Sequence, residues 1–296
     1  MKIFFGSDSV EKTETAIALG DFDALHKGHV EIIKEAVAYA SKSGISSAVY
    51  MFENSPKSDV YHINTPERRI KIIESLGVDI CVLERFTESY KKLSCEEFVS
   101  EYIKKRLCAR AVFVGFNYRF GCGASGGVNT LSDLCGENTK VFVHDCVKQG
   151  GEIISSSRIR HLVSAGDMAE AKLLTGRNFE ISGRVKSGNQ IGRKIGFPTA
   201  NIEYPHLQLT PKEGVYVTDV TVMGKTYRAI TNVGEKPTVG EEHRNIETAI
   251  LDFHGDIYGK IIKIEFLKYI RDIKKFETLD ALSAQLESDA EDARKF

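Results

Sequence analysis

Apolar residues in the first half of the chain come in short runs, and between the runs they recur at helical spacing. The run Ala16-Ile17-Ala18-Leu19 suits a buried strand that stops at Gly20. Apolar positions 30, 33, 37 and 40 mark one face of a helix over residues 30–40. Residues 47–52 read as the next strand. Residues 66–76 read as a helix opening on Pro66, whose fixed φ and missing N–H suit a first turn. The order then repeats: strand 80–83, helix 96–107, strand 111–115 and strand 141–144. This alternation predicts an α/β domain, Rossmann-like, with a parallel sheet covered by helices on both faces. Ligands of such sheets bind beyond the carboxyl ends of the strands.

A short helix over 167–174 ends in the stop signal Thr175-Gly176-Arg177-Asn178. A boundary is therefore expected near Gly176, with domains at 1–176 and 177–296. Beyond it the period becomes that of strands. Segments 214–222 and 225–232 flank Met223-Gly224 as a hairpin, and 246–253 and 260–267 flank His254-Gly255-Asp256. Successive short strands predict a small antiparallel β-barrel. Apolar positions 279, 282, 286, 290 and 293 predict an amphipathic C-terminal helix over 278–293, packed on that barrel.

Composition narrows the partners. The 40 Lys and Arg nearly balance the 41 Asp and Glu, which gives no electrostatic case for nucleic acid or an anionic membrane surface. No apolar run reaches transmembrane length, and the first ten residues do not read as a signal peptide. Six cysteines lie in the first half without a C-x-x-C pair, so reduced thiols in a cytoplasmic protein are expected. Nothing in the sequence indicates an oligomeric state.

Four loops carry candidate chemistry. The first follows strand 16–19 and reads Gly20-Asp21-Phe22-Asp23-Ala24-Leu25-His26-Lys27-Gly28-His29. His26 and His29 can face one anion at a helix N-terminus, where oriented N–H groups add positive partial charge. Loop histidines also serve as caps or as surface polar groups. Residues 115–121, G-F-N-Y-R-F-G, follow another strand and read equally as a glycine-rich loop with buried aromatics. Ser155, Ser156 and Ser157 precede a helix and can cap it. Arg158 and Arg160 cannot share one helix face, so one can reach phosphate while the other meets solvent or an acid. Residues 181–201 carry Gly183, Gly188, Gly192 and Gly196, then Pro198, Thr199 and Asn201. Such a loop can offer N–H groups to phosphates while a hydroxyl and an amide oxygen hold Mg²⁺. Its plainer reading is a glycine-rich connection between two strands.

The spelling of these loops adds a resemblance. G-R-V-K-S-G-N-Q-I-G-R-K-I-G-F-P-T-A-N at 183–201 resembles the signature of riboflavin kinases. So do G-V-Y (214–216), N-V-G-E-K-P-T (232–238), E-T-A-I-L-D-F (247–253), I-Y-G-K (257–260) and I-R-D-I-K-K-F (270–276). H-K-G-H at 26–29, the 115–121 loop and I-S-S-S-R-I-R at 154–160 resemble motifs of FMN adenylyltransferases. Together they resemble the bifunctional riboflavin kinase/FAD synthetase family. The resemblance implies an α/β nucleotidyltransferase domain followed by a kinase barrel, with riboflavin, FMN and ATP as substrates and Mg²⁺ as cofactor.

Residue by residue, it implies Glu247 as base toward the flavin 5′-hydroxyl and Thr199 and Asn201 as holders of Mg²⁺ and phosphates. It also implies that Gly188, Gly192, Gly196 and Asn232 shape the nucleotide pocket. Arg271 would border the flavin, with an interdomain or helix-end salt bridge as its alternative. In the first domain it implies Gly20, Asp21, Phe22, Asn117, Ser156, Ser157 and Arg160 as ATP contacts. His26 and His29 would steady charge at the α-phosphorus. Departures are Ala24 in place of a glycine, where a methyl group clashes if φ is positive, and Ser55 in place of a histidine. Ser157 replaces a threonine and keeps the hydroxyl, and Ile273 stands where an acid is usual. The first two departures motivate a rival, a monofunctional kinase with a non-catalytic first domain. A non-enzymatic flavin-binding module is a third reading.

Overall fold

The computed structural model describes residues 1–54, 61–186, 196–205, 207–235 and 244–296. They form two compact units, Met1–Ser156 and Ser157–Phe296. The first contains β1 (Lys2–Phe5), β2 (Thr15–Leu19), α1 (Lys27–Ser43), β3 (Ser46–Phe52), α2 (Pro66–Ser75) and β4 (Ile80–Glu84). It continues with α3 (Glu88–Lys91), α4 (Cys95–Glu97), β5 (Ala109–Gly115), α5 (Val128–Cys135), β6 (Lys140–His144) and the short pair β7 (Lys148–Gln149) and β8 (Glu152–Ile153).

Six of these strands make a parallel sheet in the order β1-β4-β3-β2-β5-β6. β2 is buried along its whole length because both faces are covered. Ala16 and Ala18 enter one core with Ile33 and Ala36, while Ile17 and Leu19 enter the other with Phe98 and Ile103. From β2 the chain moves through β3 and β4 on one side, then returns to β5 on the other. The crevice between the ends of β2 and β5 is the switch point where such sheets bind ligands.

The pattern-based elements hold with local differences. α1 buries Ile32, Ile33, Ala36 and Ala40, so its face is rotated from the expected positions 30, 33, 37 and 40. Small Ala36 is the residue that faces the sheet, and Val30 and Val37 sit at the margin. The expected helix at 96–107 is α4 running into a π-helix over Phe98–Arg106. Its buried residues Phe98 and Ile103 are five apart, which suits the wider i→i+5 turn. β1 has four residues and no alternation to announce it.

The second unit holds α6 (Ser156–Ala165, of which Ser156 falls in the first unit), α7 (Met168–Thr175), β9 (Phe179–Lys186), β10 (Thr199–Glu203) and β11 (Gly214–Val222). β12 (Lys225–Glu235), β13 (Arg244–Ile250), β14 (Ile261–Arg271) and α8 (Leu279–Lys295) complete it. The strands close an antiparallel barrel in the order β10-β13-β12-β11-β14-β9. α7 packs with β14 and β9. The β11–β12 hairpin turns at Met223 and Gly224, both in the left-handed region at φ 48° and 78°. Strand β13 stops three residues before Phe253, and β14 runs on past Leu267 to Arg271.

Inside the barrel lie Tyr216, Val233, Ile246, Ile264 and Phe266. The hydroxyls of Thr218, Thr231 and Thr248 link across three strands at 2.8 and 2.9 Å. On the outside, α8 covers Val215, Val217 and Ile230 with Ala290 and Ala293, and Phe197 joins that cluster. Leu279, expected on the buried face, is 52 % exposed, and the helix docks through its C-terminal half. Where β9 crosses β10, a Cβ on Gly183 would stand 2.2 Å from the Glu203 carbonyl oxygen, so only glycine permits that approach.

Candidate active sites

In the first unit the loop 20–26 leaves the end of β2 and enters α1. His26 is the N-cap of α1, and its Nδ1 accepts the His29 backbone N–H at 3.3 Å. The two imidazoles stack with centroids 3.7 Å apart. Phe22 meets the His29 ring edge-on at 5.2 Å and folds back over Gly20, where a Cβ would come within 3.0 Å of its ring. His29 Nδ1 is buried without a hydrogen-bond partner. Burial, and then the neighbouring His26, hold the His29 imidazole well below its ordinary pKa. His29 is therefore neutral near pH 7, and both rings stand in the first turn of α1, where oriented N–H groups favour an anion.

The methyl of Ala24 causes no clash. The positive φ values fall on its neighbours Phe22 (50°) and Leu25 (43°), and Ala24 itself is buried. Non-glycine residues in that region carry strain of about 1–2 kcal/mol each. Burial of Phe22 and Leu25 offsets it.

Polar groups absent from the sequence-based candidates brace the loop from behind. The Asp23 carboxylate accepts the backbone N–H of Ile63 at 2.8 Å, and Asn64 Nδ2 donates to the Asp23 carbonyl at 2.7 Å. Arg69 on α2 is completely buried. Its guanidinium donates to the Asp21 carbonyl at 2.9 Å and to the Glu53 carbonyl at 3.2 Å, tying the loop after β2 to the end of β3. Burial draws the Arg69 pKa down, against the pull of Asp21 and Asp23. The signal was in the sequence: Arg69 occupies the same helix face as Ile72 and Ile73, where an apolar residue is usual.

Asn117 and the half-exposed Phe116 follow the end of β5, on the other side of the switch point. Ser156 lies in the first unit, and Ser157 and Arg160 in the second. Arg158 meets an acid, Glu170, at 3.0 Å.

In the barrel, strand register assembles the site. Asn201 on β10 is directly opposite Glu247 on β13, and Glu247 is directly opposite Asn232 on β12. Asn232 in turn faces Val215 on β11, which faces Arg271 on β14. Directly paired residues share a sheet face, so Asn201, Glu247, Asn232, Val215 and Arg271 form one row on the outer surface of the barrel. Thr199 is on the same face, two residues before Asn201. The row is invisible in sequence, where its members are scattered over seventy residues.

Asn201 is 9 % exposed and its Oδ1 is buried without a partner. An orphaned amide oxygen beside a threonine hydroxyl fits a hard cation that keeps waters and phosphates among its ligands. Among the described residues no group of three or more His, Cys, Asp or Glu side chains is placed to hold a metal alone. Beside Thr199 opens a cavity of about 380 Å³, lined by Val185, Pro198, Phe253, Asp256, Ile257 and Tyr258 among others. Gly196 sits in the left-handed region at φ 78° just before it. Gly188 and Gly192, like Ser55, lie outside the described residues. At the far end of the row the Arg271 guanidinium grips the buried Asp289 of α8, Nε at 3.1 Å and Nη2 at 2.7 Å. The pair is a salt bridge within the second unit, made to the body of α8 rather than to its end.

Comparison with known proteins identifies the family of each half. The riboflavin kinase family profile matches residues 175–296, and the FAD synthetase profile matches residues 8–158. The bifunctional riboflavin kinase/FMN adenylyltransferase of Listeria monocytogenes is 34% identical over 95% of this chain and 91% of its own. That of Bacillus subtilis is 34% identical over 97% and 93%, and that of Escherichia coli K12 32% identical over 95% and 92%. The chain belongs to the bifunctional riboflavin kinase/FMN adenylyltransferase family. A crystal structure of a macrolide-efflux protein from Streptococcus pneumoniae superposes with a TM-score of 0.91 at 32% identity, covering 99% of each chain. Among the described residues no helix here is long and apolar enough to cross a membrane.

The histidine stack falls within the FAD synthetase match, and the barrel row within the riboflavin kinase match. The six cysteines are free thiols, and burial pushes Cys81 up to about 12, so it is inert.

Proposed function

We propose that the chain phosphorylates riboflavin to FMN in residues 177–296 and joins FMN to the adenylyl group of a second ATP in residues 1–176. The observation that carries this reading is the barrel row, in which a carboxylate stands between two asparagines. Glu247 accepts the proton of the flavin 5′-hydroxyl as that oxygen attacks the γ-phosphorus, and ADP leaves. Asn201 Oδ1 and the Thr199 hydroxyl would hold Mg²⁺, which when bound neutralises phosphate charge. Asn232 and the glycines at 188, 192 and 196 shape the space for the triphosphate. The cavity beside Thr199, with aromatic and aliphatic walls and one carboxylate, takes the nucleoside. Arg271, oriented by Asp289, borders the flavin.

In the first unit a phosphate oxygen of FMN attacks the α-phosphorus of ATP and pyrophosphate leaves. That oxygen is already anionic, so the site needs charge stabilisation rather than a base. His26 and His29 supply it at the N-terminus of α1, with Gly20, Asp21, Phe22 and Asn117 around the nucleotide and Ser156 on its phosphates. The harmless placement of Ala24 removes one ground for the monofunctional rival. Free thiols at all six cysteines accord with a reducing compartment such as the cytoplasm.

The test is incubation with riboflavin, ATP and Mg²⁺ followed by chromatography. FMN and FAD are both expected. FMN accumulating without FAD at every enzyme level would leave a kinase alone.

A further inference from the structure

Asn245 stands two residues before Glu247 on β13, so both side chains project from the outer face of the barrel. Asn245 Nδ2 donates to Glu247 Oε1 at 2.6 Å, a short hydrogen bond to a carboxylate. Opposite Asn245 on β12 is Gly234, which has no side chain to compete for that space. A Cβ built on Gly234 would come within 3.1 Å of Ile273 and 3.8 Å of Asn232 Nδ2, so the glycine keeps this end of the row open. The reading of Glu247 as base does not use Asn245.

A glutamate on a strand has a soft final torsion, and its carboxylate turns readily. A base must be held within hydrogen-bond reach of the proton it takes. With Oε1 occupied by Asn245, the rotation is fixed and Oε2 is the oxygen left for the substrate hydroxyl. We propose that Asn245 is a positioning residue for FMN formation: it anchors one oxygen of Glu247 so that the other meets the flavin alcohol. This rests on the assignment of Glu247 as base.

Three variants test it in the intact chain: Asn245→Ala, Asn245→Asp and Glu247→Gln. Steady-state FMN formation is measured with riboflavin and ATP each varied, and folding is checked by thermal midpoint. Asn245→Ala removes the donor and is expected to lower kcat about ten- to a hundredfold. KM for riboflavin and for ATP should stay within about twofold, because the loss is in the transition state. Asn245→Asp keeps the size but puts a second negative charge beside Glu247, so it should lose at least as much kcat as alanine. A packing role makes the opposite prediction, with aspartate the milder change. Wild-type kcat in both Asn245 variants, a change in KM alone, or aspartate milder than alanine would overturn the proposal. Should Glu247→Gln keep wild-type kcat, the assignment of the base fails, and the positioning role fails with it. A dead Glu247→Gln beside fully active Asn245 variants sinks the positioning role alone.

Discussion

The two sites are built in opposite ways. In the α/β unit the candidate side chains sit on a loop and on the first turn of the helix it enters, and the loop is held by what lies behind it. Phe22 and Leu25 take left-handed backbone, Arg69 is buried against two carbonyls, and Asp23 accepts backbone N–H groups from another segment. In the barrel the row Asn201-Glu247-Asn232 rides on hydrogen-bonded strands, and register alone sets its spacing. A loop site depends on remote braces and fails when a brace is removed. A register site depends on the ladder, on its own members and on neighbours on the same strand such as Asn245.

The sharpest break of that contrast is Glu247→Gln. FMN formation should fall about 10²- to 10⁴-fold, as expected for loss of a general base. Conversion of supplied FMN to FAD should continue at the wild-type rate. Equal loss of both activities would mean that the two sites are not separate.

Next in size is Arg69→Met. It contacts no substrate in the proposed arrangement, yet it removes the two hydrogen bonds that tie the Asp21 and Glu53 carbonyls to α2. A loss of about 3 kcal/mol in the urea stability of the first unit is expected, from two hydrogen bonds to a charged group at about 1.5–3 kcal/mol each. FMN adenylylation should drop while FMN formation is kept. A variant with wild-type stability and wild-type FAD formation would show that the loop needs no brace.

The smallest effect is that of pH on His29. Folding lowers its pKa, so below the ordinary value of 6.5 the unfolded chain takes up a proton that the folded chain refuses. Its contribution to stability is full above that value and declines as pH falls below it. Urea melts at about pH 7.5 and about pH 5.5 should differ more for the wild type than for His29→Asn. An unchanged pH dependence in the variant would locate the titrating group elsewhere.

Much of this architecture is legible in the chain, and the rest is hidden for physical reasons. Short apolar runs and the hairpin at Met223-Gly224 announce their elements because periodicity and turn chemistry are local. The histidine loop is legible too, since the motif that marks it is contiguous. The row on the barrel is not, because register is a pairing between strands far apart in sequence. Arg69 carried a local signal as a cation among Ile72 and Ile73, but its carbonyl partners lie on other segments. The docking of α8 through Ala290 and Ala293 rather than Leu279 also depends on contacts that no period encodes.

The central claim is that one chain carries two separable sites, each working when the other is disabled. Mixing two inactive variants tests it most directly. Glu247→Gln protein given riboflavin, ATP and Mg²⁺ should make neither FMN nor FAD, and a His26→Ala/His29→Ala protein should stop at FMN. Combined in one tube, they should make FAD from riboflavin. A mixture that yields no FAD, with each variant retaining the activity assigned to its other unit, would contradict independent working of the two sites. A histidine variant that forms FAD unaided would contradict the assignment of the first site.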